Sequence, residues 1–305
     1  MTIELVGGIG NQLFGYFAGL YVSEKLGLGL RAYIRKPARG ESSHSSSLIS
    51  LAPLPGFMGR ETAPVILEKY LRFTLHKFLT IKPMSMLGIR DFSGFHSSSS
   101  IGYDHSLDGA LPVSFLRGYF QTYKYFEYLD SVGALPNLAL PNPSNSFKAL
   151  SQEMRDSKPL TMHIRRGDYL NKVNSSIGTL SPKYFEGALD LLREKSEFTN
   201  REVWIFSDDI PLVQQEFMGL RLGPHRWISD TDLADAQESL LLMSLGAGTV
   251  ISNSTFSWWS AMLGRISAVV APDPWFRIHP EPDALLNPKW MRYKSDWLDS
   301  QRATD

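Results

Sequence analysis

The stretch Thr161-Met162-His163-Ile164-Arg165-Arg166-Gly167-Asp168-Tyr169 passes abruptly from an apolar, strand-like segment (Leu160 to Ile164) into two arginines and an aspartate. Adjacent cations at the mouth of a buried strand are costly unless something anionic meets them. A pyrophosphate fits, because an arginine fork matches phosphate oxygens two at a time. A solvated, charged loop is the plain alternative. His163 and Arg165 stand two residues apart, so on a strand their side chains share a face. His163 there hydrogen-bonds a base or ribose, or is a satisfied core histidine. Arg165 is the principal phosphate ligand. Arg166 also belongs to the anion-binding set, or it pairs on the other face with Asp168 or Asp208.

Downstream of this stretch, strand and helix signals alternate. A helix is expected near Pro182 to Lys195, then a strand from Val203 to Phe206 ending in Ser207-Asp208-Asp209. A helix near Ala236 to Leu245 leads to strand Thr249 to Ile251. Ser252-Asn253-Ser254-Thr255 then turns into a helix through Trp258, Trp259 and Leu263, and Ala268 to Ala271 is another strand. This alternation predicts a parallel α/β sheet. In such sheets ligands bind beyond the carboxyl ends of the strands. Arg165-Arg166, Asp208-Asp209 and Ser252 to Thr255 all fall there, on one rim. Four consecutive polar residues before a Trp-Trp pair offer hydroxyl and backbone donors for phosphate oxygens, where a plain N-cap needs only one of them.

Upstream, Ile3 to Val6 reads as a buried strand turned by Gly7-Gly8-Ile9-Gly10 into a helix from Asn11 to Leu26, which Gly27 and Gly29 end. Gly8 and Gly10 allow a ligand close to the backbone, and Asn11 either caps the helix or touches sugar or phosphate. A dinucleotide fingerprint wants a small residue at position 13, where Leu13 stands. Arg39 to Ser50 looks like a surface loop, and Glu68 to Phe78 like a helix with Leu71, Leu75 and Phe78 recurring on one face. Leu135 to Asn145, rich in proline and asparagine, is the linker candidate. Domains are therefore expected at 1–145 and 146–285, with a tail at 286–305 that returns to the first.

The chain has 305 residues, 43% hydrophobic and 20% charged, with Lys+Arg and Asp+Glu both at 31. It is an ordinary globular composition. Without net charge, a broad grip on nucleic acid is not expected. There is no cysteine, which removes disulfides, thiolate metal sites and cysteine nucleophiles. Signal-peptide and membrane-spanning patterns are absent from the sequence, so a cytoplasmic protein is expected. Asp208-Asp209 and Asp230-Thr231-Asp232 raise the question of a metal. The arginines already offer positive charge for a diphosphate, so none is expected.

Four segments together resemble the α-1,2-fucosyltransferase family (glycosyltransferase family 11). They are Gly7-Gly8-Ile9-Gly10-Asn11-Gln12-Leu13-Phe14, then Gly118-Tyr119-Phe120-Gln121-Thr122 with Tyr125-Phe126, then His163 to Tyr169, and Ile251 to Trp259. The resemblance spans nearly the whole chain. It implies a GT-B-like α/β fold, two Rossmann-like domains facing across a cleft. It further implies transfer of L-fucose from GDP-β-L-fucose, with inversion and without a metal, to the 2-hydroxyl of a terminal galactose. His163 would face the guanosine, and Arg165 would hold the diphosphate with Ser254 and Thr255. Asn11 would reach toward the donor from the other domain. Ser239 stands where related enzymes place an acid near the guanine, with Glu238 beside it, and Gly15 replaces a common glutamine.

The expected site is then Arg165 and Asp168 as catalytic groups. Gly8, Gly10, Asn11, His163, Arg165, Arg166, Asp208, Glu238, Ser252, Asn253, Ser254, Thr255 and Phe256 hold the donor. Arg165 and the 252–255 turn would stabilise the departing GDP, and Asp168 is either the base for the acceptor hydroxyl or an orienter of the arginines. A galactose-terminated, lipid-linked acceptor would bring peripheral contact with a membrane. The competing readings are a nucleotide-dependent oxidoreductase and a non-catalytic nucleotide-sugar or glycan-binding protein.

Overall fold

The computed structural model describes residues 1–35, 48, 51, 54–79, 94–109, 113–170, 175–229 and 232–298. Most of the loop expected at Arg39 to Ser50, and Asp230 and Thr231, lie outside them. The chain forms two compact units. One is Met1–Ala139 with Pro282–Leu285, and the other is Leu140–Glu281 with Leu286–Asp305.

In the first unit, strand β1 (Thr2–Leu5) leads into helix α1 (Ile9–Leu26). Strands β2 (Arg31–Ile34), β3 (Phe57–Arg60), β4 (Phe95–Ser97) and β5 (Phe115–Arg117) complete a parallel sheet in the order β3-β2-β1-β5-β4. Helices α2 (Ala63–Leu79) and α3 (Lys124–Ser131) accompany it. The α1 helix begins earlier than the sequence indicated. Gly8 is its N-cap, with no side-chain cap, so Gly10 and Asn11 are helical and Asn11 is not the cap. The buried face of α1 is long because Leu13, Phe14, Phe17 and Tyr21 recur at helical spacing, with Phe17 stacked on Phe126 and Tyr21 packed on Tyr125 of α3.

The second unit begins with α4 (Asn145–Ser157) and β6 (Leu160–Ile164), followed by α5 (Pro182–Arg193) and β7 (Val203–Ser207). Then come α6 (Ile210–Glu216), β8 (His225–Ile228), α7 (Ala236–Met243) and β9 (Gly248–Val250). Helix α8 (Thr255–Leu263), β10 (Val269–Asp273) and β11 (Met291–Lys294) close the series. Every strand pairing is parallel, and the sheet order is β11-β10-β9-β6-β7-β8. Counted within the unit this is the dinucleotide-binding order, with its switch point between β6 and β9. Alternation builds two cores. Met162, Ile164 and Ile205 meet Tyr184, Phe185 and Leu189 of α5, whereas Trp204 and Phe206 meet Leu242 and Met243 of α7 and Met154 of α4. Each such buried side chain contributes about 1.5–3 kcal/mol.

Both units are thus parallel α/β units of Rossmann type. The division falls between Ala139 and Leu140 instead of after residue 145, because Ser144 caps α4 by accepting from the Phe147 amide and so belongs with the second sheet. Up to residue 298, the tail stays with the second unit and does not return to the first. Its strand β11 pairs with β10, and Trp297 bridges to Leu180. The residues that do join the first unit are 282–285. Among the described residues no helix is long and apolar enough to cross a membrane.

Candidate functional site

The second sheet opens at the carboxyl ends of β6 and β9, and side chains from both strands meet there. His163 Nδ1 lies 3.0 Å from Ser252 Oγ, a buried hydrogen bond across the switch point. The His163 ring packs 5.3 Å from that of Phe256. Burial, and then the nearby Arg165 charge, push the imidazole down to about 3. His163 is therefore neutral in the folded protein at any ordinary pH. In the unfolded chain it takes up a proton near its usual value of about 6.5. Stability from this group is present in full above that value and falls as pH drops from 6.5 toward 3, by at most about 1.4 kcal/mol per pH unit. Denaturant midpoints measured from neutral pH down to about pH 5 should fall less steeply for His163→Asn than for the parent. Parallel slopes would show that the ring is not buried as a neutral base.

Arg165 stands at the end of β6 with its fork held by two carboxylates. Nη2 donates to Asp168 Oδ1 at 2.6 Å, and Nη1 lies 3.0 Å from Asp208 Oδ2. Burial opposes its charge, but Asp208 and Asp168 outweigh that and hold the guanidinium charged more firmly than a free arginine. Its side chain remains 27% exposed, so a ligand has access. Asp208 also accepts from the Arg166 amide at 2.8 Å, which fixes the carboxylate from a second side. The turn needs Gly167. Its φ is +22°, and a Cβ there would stand 2.3 Å from Asp208 Oδ2. Tyr169 lies beneath the Arg165 guanidinium, 5.5 Å from ring centroid to carbon, and donates its hydroxyl to the Asn253 carbonyl at 3.1 Å. Burial pushes that phenol up to about 12.

Arg166 takes the second of its two expected places, paired with an acid on the opposite face, but that acid is Glu216 and not Asp168 or Asp208. Its side chain is fully buried, donates from Nε to Glu216 Oε2 of α6 at 2.7 Å and from Nη1 to the Arg165 carbonyl at 2.9 Å. Burial pulls its proton affinity below the usual arginine value. It anchors α6 beneath the turn and is not available to a ligand, because strand alternation sends it to the face opposite Arg165.

Most of the 252–255 turn is spent internally. Ser252 serves His163, and Asn253 Nδ2 donates to the carbonyls of Gly178 and Ile177 at 2.9 and 3.3 Å. Ser254 caps α8 by accepting from the Phe256 amide. What remains for an anion is the half-buried Thr255 and the first amides of α8.

Residues 41–297 match the family model described as Glycosyl transferase family 11. This chain belongs to that family. It is a glycosyltransferase. An Escherichia coli alpha-1,2-colitosyltransferase is 28% identical over 289 residues, which cover 90% of this chain and 92% of that protein. The O-antigen biosynthesis glycosyltransferase WbnK, also of Escherichia coli, is 30% identical over 144 residues, 46% of this chain and 45% of that one. Among solved structures, fucosyltransferase NodZ from Bradyrhizobium has a TM-score of 0.47 at 10% identity, covering 92% of this chain and 98% of its own.

Other expected residues of the transferase are placed elsewhere. Glu238 is buried and accepts from the Ser144 amide, the Ser144 hydroxyl and the Ala234 amide at 2.7, 2.9 and 2.8 Å. That carboxylate ties α7 to α4, so it leaves the donor-binding set. Asp209 caps α6, accepting from the Leu212 amide, and Asp232 accepts from Ser229. Asp208, Asp209 and Asp232 are thus engaged within the protein, and Asp230 lies outside the described residues. In the first unit, Asn11 Oδ1 accepts from Gln121 Nε2 at 3.0 Å, joining the segments after β1 and β5, which are neighbours at that sheet's own switch point. Gln121 is a residue that the sequence placed in a motif but not in the site. Gly7 holds φ +72°, and a Cβ there would crowd the Asn11 amide at 2.8 Å.

Proposed function

We propose that this transferase moves L-fucose from GDP-β-L-fucose, with inversion, to the 2-hydroxyl of a terminal galactose, without a metal or other cofactor. The supporting observation is Arg165: a charged, accessible guanidinium at a Rossmann switch point, oriented by Asp208 and lying over the Tyr169 ring, whose hydroxyl donates to the Asn253 carbonyl ahead of α8. The α-1,2 linkage named for the 28% identical relative agrees with the proposed one.

In the reaction, the bond between fucosyl C1 and the β-phosphate oxygen breaks, and its electron pair leaves with GDP. Charge grows on the diphosphate as it departs, so Arg165 and the α8 amides hold the transition state more tightly than the ground state. The galactose 2-oxygen attacks C1 from the opposite face and gives up its proton. Asp168 is the base on this reading. The diphosphate competes with Asp168 for the Arg165 fork, and the carboxylate it displaces is freed to take the proton. The acceptor is a galactose-terminated, lipid-linked glycan and the protein is cytoplasmic, with peripheral membrane contact.

The name of the colitosyltransferase relative raises a second donor, another deoxysugar. GDP release should therefore be measured with GDP-fucose and with GDP-colitose, with and without a β-galactoside. Slow release from GDP-fucose that rises at least tenfold with the acceptor, and a 1→2 linkage in the product by NMR, is the expected outcome. Turnover of GDP-colitose alone overturns the choice of sugar, and turnover of neither overturns the donor.

A further inference from the structure

Three segments of the second unit close into one circuit of hydrogen bonds. They are the turn after β6 (residues 167–170), residues 177–179, and the turn between β9 and α8. Tyr169 donates its hydroxyl to the Asn253 carbonyl at 3.1 Å. Asn253 Nδ2 donates in turn to the Gly178 carbonyl at 2.9 Å. Thr179 Oγ1 donates back to the Tyr169 carbonyl at 3.0 Å. A closed circuit restrains each segment twice, so the three are held in one register. Its middle segment has a fixed base, because the Arg277 amide donates to the Ile177 carbonyl at 3.0 Å and the Leu298 amide to that of Thr179 at 2.8 Å.

One member of the circuit also touches Arg165. The Tyr169 ring lies under the guanidinium, 5.5 Å from its central carbon. Hydroxyl and ring therefore reach two different pieces of the anion site. The hydroxyl fixes the turn that leads into α8, and the ring restrains the arginine. Asp168 and Asp208 hold the edges of the fork at 2.6 and 3.0 Å, whereas the ring holds its face. When a diphosphate displaces Asp168, one edge is released, and the ring still keeps the guanidinium in its plane. Burial pushes the phenol up to about 12, so the hydroxyl remains a donor at every working pH and is not a base.

We propose that Tyr169 is a positioning residue of the transferase, setting Arg165 by its ring and the α8 turn by its hydroxyl so that both meet one diphosphate. This rests on the reading of Arg165 as the donor's anion ligand, and the test separates the two.

The measurement is GDP affinity by titration calorimetry, with kcat and donor KM beside it and a thermal melt to show folding. Tyr169→Phe keeps the ring and loses only the bond to Asn253. GDP should bind roughly 2–10-fold more weakly, the worth of one hydrogen bond. The fall in kcat should be at least as large, because the diphosphate gains charge in the transition state. Tyr169→Leu also removes the ring and should weaken GDP by about a further 2–5-fold. In an Arg165→Ala background the Phe variant should keep its effect, since the hydroxyl acts through the turn. The further loss in the Leu variant should vanish there, since the ring acts through Arg165. A tyrosine that only supports the fold would lower the melting temperature and leave the folded protein with the parent's GDP affinity, and that result overturns the proposal. So does a ring effect that persists without Arg165. Should Tyr169→Leu fail to fold, Tyr169→Phe decides alone, and parent-like affinity and kcat overturn the proposal. If Arg165→Ala itself binds GDP as the parent does, the donor-site reading falls and this inference with it. If Arg165→Ala weakens GDP while both Tyr169 variants match the parent, only this inference falls.

Discussion

Arg165→Ala is expected to lower turnover by about 10²–10³-fold, the usual cost of removing one charged donor from a developing anion. The protein should remain folded. Asp168 and Asp208, the carboxylates left behind, are 38% and 24% exposed, so water can take over much of their solvation. Arg165→Lys should fall between the variant and the parent, since it restores charge without the planar fork. The measurement is steady-state GDP release at saturating acceptor, beside a thermal melt. Unchanged turnover in a folded Arg165→Ala protein removes this residue from the mechanism and with it the assignment of the switch point as the donor site.

The neighbouring arginine should behave oppositely. Arg166→Ala strips a fully buried cation from Glu216 and from the Arg165 carbonyl, and about 3 kcal/mol of stability should go with it. That is a fall in melting temperature of roughly 6–12 °C for a unit of this size. Arg166→Met should recover part of the loss, because an apolar group of similar length fills the space without stranding an ion. Glu216 is 22% exposed, which softens the penalty on its side. Calorimetry and a donor KM on the folded fraction separate the alternatives. A normal melt with a raised donor KM would return Arg166 to the anion site.

What the sequence reveals of the second unit is the part where chemistry repeats. Strands β6, β7, β9 and β10 are buried on both faces and read as short apolar runs, and the helices between them carry N-cap residues and apolar spacing. Strands β8 and β11 escape the same reading. They sit at the two edges of the sheet and carry His225, Arg226, Arg292 and Lys294. Edge strands are half solvated, so no apolar run marks them. In the first unit only β1 is plain. The other strands are only three or four residues long, too short for alternation to mark them.

The site divides along similar lines. Local geometry is legible: His163 and Arg165 share a face because strands alternate, and Ser254 caps because it precedes a helix. Long-range pairings are not. Nothing in the spacing joins Arg166 to Glu216, or Glu238 to Ser144, since these pairs are made by how helices fall on the sheet. For Glu238 a local signal was present. Asp235 caps α7 and Glu238 follows three residues later, the arrangement in which an acid turns back to bond the chain before the helix. On α2 the stripe of Leu71 and Leu75 is correctly legible as a stripe, but which side it takes is decided by the pairing of Lys69 with Glu4, far away in sequence, and with Glu61.

The four residues 282–285 deserve a place in any plan to dissect the protein. Thr122 and the Tyr123 amide donate to the Ala284 carbonyl, and the Tyr103 amide donates to that of Asp283. An N-terminal fragment cut at the proline-rich segment would surrender these acceptors and uncap three donors at once. The two halves are therefore not interchangeable cassettes. Chimeras between family members would have to carry this small borrowed patch along with residues 1–139.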